Sequence, residues 1–264
     1  MTPAAGLTEA VLYDTLVNYL ISMARVVESA MNRALDALIA FDNQRTSGLP
    51  GEVFLLEPRI NEMEIMIDEH AIRLLRRGAF TDDDLRLIVA ALKITNDLER
   101  IGDIAVNLAE RVISLRDTPD VTMPEQLAPM TEAVRSMVSR SLGALIFRNA
   151  ELATQVLESD DMVDQYRDQI FESLLQNMTQ NAALVSPGLQ FVLATRHLER
   201  IADHATNIAE DIIFWVRGLD VRHGRGLMVY ADQQQTIPEA PDTFTENSHP
   251  LHSQVTANCE TGRV

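Results

Sequence analysis

The chain contains one sixteen-residue segment twice, and this repeat constrains the fold more than any other feature. Leu98 to Ile113 reads LERIGDIAVNLAERVI and Leu198 to Ile213 reads LERIADHATNIAEDII, identical at ten of sixteen positions. The shared residues include Glu99/Glu199, Arg100/Arg200, Asp103/Asp203, Asn107/Asn207 and Glu110/Glu210. Packing alone explains repeated apolar positions; repeated polar ones need a further reason. A helix turns about 100° per residue, so positions i, i+4 and i+8 share one stripe. Glu99, Asp103 and Asn107 then form a ladder of oxygen atoms up one helix face, and Glu199, Asp203 and Asn207 form a second.

The repeat extends beyond these segments. Arg33 with Ala37-Leu38-Ile39 matches Arg140 with Ala144-Leu145-Ile146 at an offset of 107 residues. Glu64 and Asp68 match Asp160 and Asp164 at an offset of 96, and the sixteen-residue segments match at 100. Offsets that change only between helices are those of a duplicated unit whose loops have drifted. The fold class expected is all-α: two tandem, pseudo-symmetric three-helix bundles over residues 1–118 and 119–217, then a flexible tail over 218–264. The first helix is expected from a cap at Thr8 to about Phe41, followed by a loop from Asn43 to Gly51. The second is expected from near Pro58 to Gly78. The third runs from Asp82 to about Leu115, behind a Thr81 cap and three aspartates. Asp117 to Pro124 reads as the linker. A fourth helix is expected from Glu125 to Phe147 and a fifth from Glu151 to Gln180. Ser186-Pro187 opens a sixth, which stops at Arg217-Gly218. The tail is rich in Pro, Thr, Gln and Asn without helical periodicity.

Composition narrows the function. Aromatics make up only 5% while Ala, Leu, Ile, Val and Met dominate, which favours helix over strand. A formal net charge of -17 repels phosphate backbones and anionic membrane surfaces, so no nucleic-acid partner is expected. The single cysteine, Cys259, excludes a disulfide framework and fits a reducing compartment. The N-terminal residues carry no signal-peptide pattern, and no apolar run approaches the roughly 18 residues of a membrane span. A cytoplasmic protein is expected.

Helices two and five carry Glu64-x-x-x-Asp68 and Asp160-x-x-x-Asp164. In an up-down-up bundle, counting about 1.5 Å per residue from the turn brings Glu64 level with Glu99 within one turn, and Asp164 closer still to Asp203. Each bundle then gathers four carboxylates, which cannot all stay ionised without a neutralising cation or arginine. Two readings follow. One is a carboxylate-rich metal site in each half, with Glu64, Asp68, Glu99, Asp103 and Asn107 in the first and Asp160, Asp164, Glu199, Asp203 and Asn207 in the second. Oxygen ligands of this kind suit iron, manganese or magnesium, and zinc less obviously. The other reading is a solvated acidic face paired with arginines, chiefly Arg100 and Arg200. A ferritin-like di-iron centre wants Glu-x-x-His on the bundle helices, and the only such spacing, Glu246 to His249, lies in the tail. His197 and His204 read as packing or surface residues. No Gly-rich phosphate loop and no Ser/Cys–His constellation is present, so nothing in the sequence makes an enzyme.

The segments NEMEIMIDEHAIRLL, LERIGDIAVNLAE, DMVDQYRD and RHLERIADHATNIAEDIIFWVRG occur in an order that resembles the PhoU family, phosphate-transport accessory and signalling proteins of bacteria. The resemblance covers about residues 8 to 225. It implies two three-helix bundles in a cytoplasmic protein, a homodimer or other oligomer, that associates only peripherally with membrane complexes. It also implies a non-enzymatic role coupling the ATPase subunit of the phosphate ABC transporter to a sensor histidine kinase. That role represses the phosphate-starvation response when phosphate is plentiful. The family's E/D-x-x-x-D motifs, which can bind iron or zinc clusters on the bundle surface, fall at Glu64/Asp68, Glu99/Asp103, Asp160/Asp164 and Glu199/Asp203. Two positions depart between the halves: Ala202 stands opposite Gly102, and Asp160 is one methylene shorter than Glu64. A metal-storage or oxidase bundle is the alternative function.

Overall fold

Local chemistry starts and stops most of the helices in this chain, and burial overrules it in a few places. The computed structural model describes residues 4–42, 44–78, 80–118 and 122–222. They form α1 (Ala4–Ile39), α2 (Leu49–Leu75), α3 (Asp82–Arg116), α4 (Leu127–Phe147), α5 (Ala150–Leu157), α6 (Asp160–Gln180) and α7 (Val185–Arg217). Short 3-10 turns, Gln44–Thr46 and Ala182–Leu184, precede α2 and α7. No strand occurs among the described residues.

Thr81 caps α3 as expected. Its hydroxyl accepts from the Asp84 amide, and the Asp84 carboxylate accepts from the Thr81 amide at 2.9 Å, while Asp82 to Asp84 face the positive helix end. Gly218, at φ +69°, ends α7 by donating its N–H to the Phe214 carbonyl at 2.9 Å.

Other boundaries differ from expectation. Helix α1 starts before Thr8, which therefore lies inside it. Helix α2 starts at Leu49 with Pro50 in its first turn, and Pro58 lies inside the helix. Pro58 costs one backbone hydrogen bond there, but Val53 and Ile60 on either side are buried in the core and carry the helix through. The connection from α1, residues 40–48, therefore ends well before Pro58, near which the second helix was expected to begin. Arg116 fastens it, donating to the carbonyls of Phe41, Thr46 and Ser47 at 2.8 to 2.9 Å. Helix α4 starts at Leu127, two residues after the expected Glu125.

The expected fifth helix is two helices, broken at Glu158-Ser159. The Ser159 hydroxyl turns back onto the Gln155 carbonyl at 2.9 Å, and Asp160 and Asp161 open α6 where the helix end favours negative charge. Before α7, Asn181 caps the 3-10 turn by accepting from the Ala183 amide at 3.0 Å, and Leu184 rather than Ser186 is the N-cap of α7, with no side-chain bond. Pro187 is buried inside the first turn of α7, where its missing N–H is not needed.

Helices α1, α2 and α3 pack on one another, as do α4, α5, α6 and α7. The two groups join chiefly through α3 and α7, the broadest helix–helix contact among the described residues. This pair is antiparallel: Lys93 meets Asp211, Asp97 meets His204, and Arg111 meets Gln190. Helices α1 and α4 add a second seam, where Arg135 donates to Asn32 and to Asp36 at 2.6 Å.

The apolar half of the repeat is core. Leu98, Ile101, Ala105, Leu108 and Val112 are fully buried, and so are Leu198, Ile201, Ala205, Ile208 and Ile212. Each Leu, Ile or Val side chain contributes about 1.5–3 kcal/mol of burial, so the repeat fixes the orientation of its own helix. The polar half is left on the flank. Among the described residues, no helix is long and apolar enough to cross a membrane. Residues 223–264 of the expected tail, with Glu246, His249 and Cys259, lie outside the described residues.

Candidate metal centres on the two repeats

Glycine at position 102 sets how closely α2 and α3 approach. A Cβ there would stand 2.9 Å from Ile60 Cδ1, so the bare backbone lets Ile60 of α2 lie directly on α3. One residue further on is Asp103. This contact brings Glu64 and Asp68 of α2 to Glu99 and Asp103 of α3, the meeting that the sequence spacing expected.

The electrostatics of the first cluster follow from that convergence. Burial pushes the Glu64 carboxyl above the usual carboxylate range; Asp68 and Asp103 push it the same way, and Arg100 opposes them. Glu99 is raised by burial and by the neighbouring Asp103 and Glu64, again against Arg100. Arg100 is the cation here, and it is a loose one. Its Nε is 3.6 Å from Glu99 Oε2 and its Nη1 is 3.9 Å from Asp103 Oδ2, with half of the side chain exposed. Asn107 does not join the carboxylates with its amide nitrogen; Nδ2 donates to the Asp103 backbone carbonyl at 2.9 Å.

The second cluster gathers Asp160 and Asp164 of α6 with Glu199 and Asp203 of α7. Here a cation is built in. Arg167 Nη1 donates to Asp164 Oδ1 at 2.7 Å and to Glu199 Oε1 at 2.6 Å, and its Nη2 lies 2.9 Å from Asp168 Oδ1. These bonds push the Arg167 guanidinium above its ordinary value. Asp160 and Asp203 sit outside Arg167's reach and are both raised, first by burial and then by neighbouring carboxylates. Asp160 has one compensation absent at Glu64: it lies in the first turn of α6, at the positive helix end. At the offset of 96 residues, Ala71 stands where Arg167 does, and Ala71 is fully buried.

Asn207 leaves the second cluster. Its Nδ2 donates to Asp97 Oδ1 at 3.2 Å, beside His204, whose Nδ1 is 2.7 Å from the same oxygen. Asp97 and Asp211 are nearly buried and line a cleft of about 560 Å³ between α3 and α7, with Lys93 bound to Asp211. His204 is thus a seam residue, in line with its reading as packing. These partners could not be read from the repeat, because Asp97, His204 and Asp211 have no equivalents across it.

Among the described residues, no group of three or more His, Cys, Asp or Glu side chains already converges as a ligand set would. The donor chemistry nevertheless distinguishes the clusters. The first holds four carboxylates, two of them raised, and one loosely placed guanidinium; a hard divalent cation fits its charge imbalance. The second carries Arg167 among its oxygens and fits an added cation less well.

Comparison with known proteins places the chain. The family model described as PhoU domain matches twice, over residues 20–112 and 127–212. A relative from Pseudomonas aeruginosa, named phosphate-specific transport system accessory protein PhoU homolog, is 38% identical over 207 residues, 78% of this chain and 84% of the relative. A relative of the same name from Aquifex aeolicus is 34% identical over 203 residues, 77% of this chain and 90% of the relative. The crystal structure of PhoU from Pseudomonas aeruginosa superposes with a TM-score of 0.75 at 36% identity, covering 80% of this chain and 99% of that one. The phosphate transport system regulatory protein PhoU from Streptococcus pneumoniae gives 0.73 at 25% identity, covering 81% and 99%. With two domain matches that account for both repeats, the chain belongs to the PhoU family.

Proposed function

We propose that this protein is an accessory regulator of phosphate transport that works by docking rather than by catalysis. In this reading it links the ATPase subunit of a phosphate ABC transporter to a sensor histidine kinase, as a homodimer in the cytoplasm, and represses the starvation response when phosphate is plentiful. The names of its relatives support the accessory role. A formal charge of -17 over the whole chain suits basic partner surfaces and fast, salt-sensitive encounter.

The observation that carries the site is the unbalanced charge of the first cluster. Glu64, Asp68, Glu99 and Asp103 are the residues that would hold iron, zinc, manganese or magnesium, and a bound cation would neutralise them and tie α2 to α3. Asp160, Asp164, Glu199 and Asp203 form the second, weaker candidate, with Asn107 and Asn207 at the margins of the two clusters. The chain's own groups do the remaining work: Arg100 and Arg167 set how much negative charge each face presents to a partner.

The test combines Glu99→Ala with Asp103→Ala. Metal content of purified protein and capture of the transporter ATPase and kinase from phosphate-replete cells are then measured together. The reading expects a fall in bound metal or in captured partner. Unchanged metal, unchanged capture and unchanged repression of phosphate uptake would remove the cluster from the mechanism.

A further inference from the structure

Of the 22 lysine and arginine residues in the chain, Lys93 is the only lysine. It stands on α3 at the seam between the repeats, where its ammonium donates to Asp211 Oδ1 of α7. Asp211 is only 4% exposed, while 35% of the Lys93 side chain reaches solvent. Both residues open into the cleft of about 560 Å³ between α3 and α7, which Leu92, Asn96 and Arg222 also line. The Lys93 Nζ lies 6.0 Å from the centre of the Phe214 ring, and Arg222 is engaged by Asp220 at 2.8 Å.

The fold does not require this pair. At the offset of 100 residues, Leu193 stands for Lys93 and Arg111 for Asp211. Arg111 turns instead to Gln190 and Glu110. The pseudo-equivalent flank of the same two helices therefore holds together without a lysine–aspartate bond. Nor does a cation at this position have to be lysine. Every other basic position of this kind is arginine, whose planar fork is the better partner for a buried carboxylate. What lysine supplies and arginine does not is an amine that becomes a nucleophile on losing one proton.

Asp211 is placed to receive that proton, since it is already bonded to Nζ. Burial raises its carboxyl above the usual range; Asp97 pushes the same way, against the pull of Lys93 and Arg222. The cleft gives an incoming molecule access to the amine, and its volume is in the range of small-molecule sites.

We propose that Lys93 is an acylation site, taking an acyl group onto Nζ from a thioester or an acyl phosphate that enters the cleft. The two donors share one chemistry, an activated carbonyl carbon. Asp211 takes one proton from the ammonium, and the freed amine attacks that carbon. A C–N bond forms as the donor's C–S or C–O bond breaks, and the second nitrogen proton leaves with the thiol or phosphate. Asp211 then returns its proton to solvent. The amide carries no charge, so Asp211 is left buried without its cation and the ion pair joining α3 to α7 is gone. Acylation therefore loosens the seam between the repeats, and it uses none of the carboxylates of the two clusters.

The test is treatment of the full chain, folded and in urea, with acetyl coenzyme A and in parallel with acetyl phosphate, read by peptide mass spectrometry. The N-terminal amine is the internal competitor, being the less basic of the two and more often neutral at physiological pH. The proposal expects the ratio of Lys93 to N-terminal labelling to rise about tenfold or more in the folded chain over that in urea. An unchanged or lower ratio with both donors would overturn it; a rise with one donor alone assigns the site to that donor. Asp211→Asn should remove the gain, and faster labelling of Lys93 in this variant would overturn the role of Asp211 as proton acceptor. The acetylated protein and Lys93→Gln should both melt about 5 °C or more below the unmodified chain, with Lys93→Arg closer to it. Unchanged melting after acetylation would overturn the loosening. Circular dichroism checks that each variant is folded, and the comparison of folded with urea-treated chain stands without them.

Discussion

The two repeats place the same four carboxylates on the same two helices and then neutralise them differently. In the first, Arg100 lies 3.6 and 3.9 Å from its carboxylates, and Glu64 sits in mid-helix. In the second, Arg167 binds Asp164 and Glu199 at 2.7 and 2.6 Å, and Asp160 opens its helix. One substitution in register, Ala71 against Arg167, accounts for most of this. Duplication preserved the backbone and the acids; what diverged is which group balances them. One face holds its guanidinium loosely; in the other Arg167 ties Asp164 to Glu199 and leaves Asp160 and Asp203 outside its reach.

The largest effect expected from breaking this difference is at Arg167. Arg167→Ala leaves Glu199 and Asp164 among other acids and should cost about 2 kcal/mol in urea denaturation, because charge-assisted bonds are lost and the partner charges remain. Arg100→Ala, at an exposed and loosely paired position, should cost less than about 1 kcal/mol. Equal costs would erase the distinction. Arg167→Ala should also make the second cluster resemble the first in metal affinity, which equilibrium dialysis would show.

A smaller effect tests the sign of the charge imbalance. Glu64 and Glu99 have folded values raised above those of the unfolded chain. The folded state then holds their protons more tightly, so the stability they contribute is present below the unfolded value and lost as pH rises through the folded one. Glu64→Gln should therefore stabilise the metal-free protein at neutral pH by a few tenths of a kcal/mol, and the gain should vanish at acid pH. Denaturation at several pH values checks this; a loss of stability at neutral pH would contradict it.

The smallest concerns the close approach at Gly102. Alanine there gains about 1 kcal/mol in helix propensity but meets the end of Ile60. The second repeat carries Ala202, and Val156 stands at the position of Ile60, one methylene smaller. Gly102→Ala should change stability by less than about 1 kcal/mol, and Ile60→Val should offset part of any clash, giving a non-additive double-mutant cycle. Strict additivity in thermal melts would mean that Ile60 does not limit the approach.

Much of this was legible in the chain. The periodicity of Leu98, Ile101, Ala105 and Leu108 and its copy at Leu198 announced two core-facing helices, and the i, i+4 acids announced the clusters. Thr81 and Gly218 were readable because a cap and a stop are local events. The break at Ser159 was not, since α5 and α6 share one apolar period and a serine before two aspartates is a weak signal within it. Pro58 misled for the opposite reason: a local breaker lost to the burial of Val53 and Ile60. Arg167 was visible only as an i+3 neighbour of Asp164, a common surface pairing; its bond to Glu199 needs the tertiary meeting of α6 and α7. The Asp97–His204–Asn207 seam lay beyond any reading of one half, because its residues come from both.

Metal stoichiometry in paired variants tests the account most directly. Elemental analysis and dialysis would compare Glu99→Ala/Asp103→Ala with Glu199→Ala/Asp203→Ala in otherwise identical protein. The account predicts that bound metal falls sharply in the first pair and changes little in the second. Loss confined to the second pair, or equal loss in both, would contradict the division of labour between the repeats.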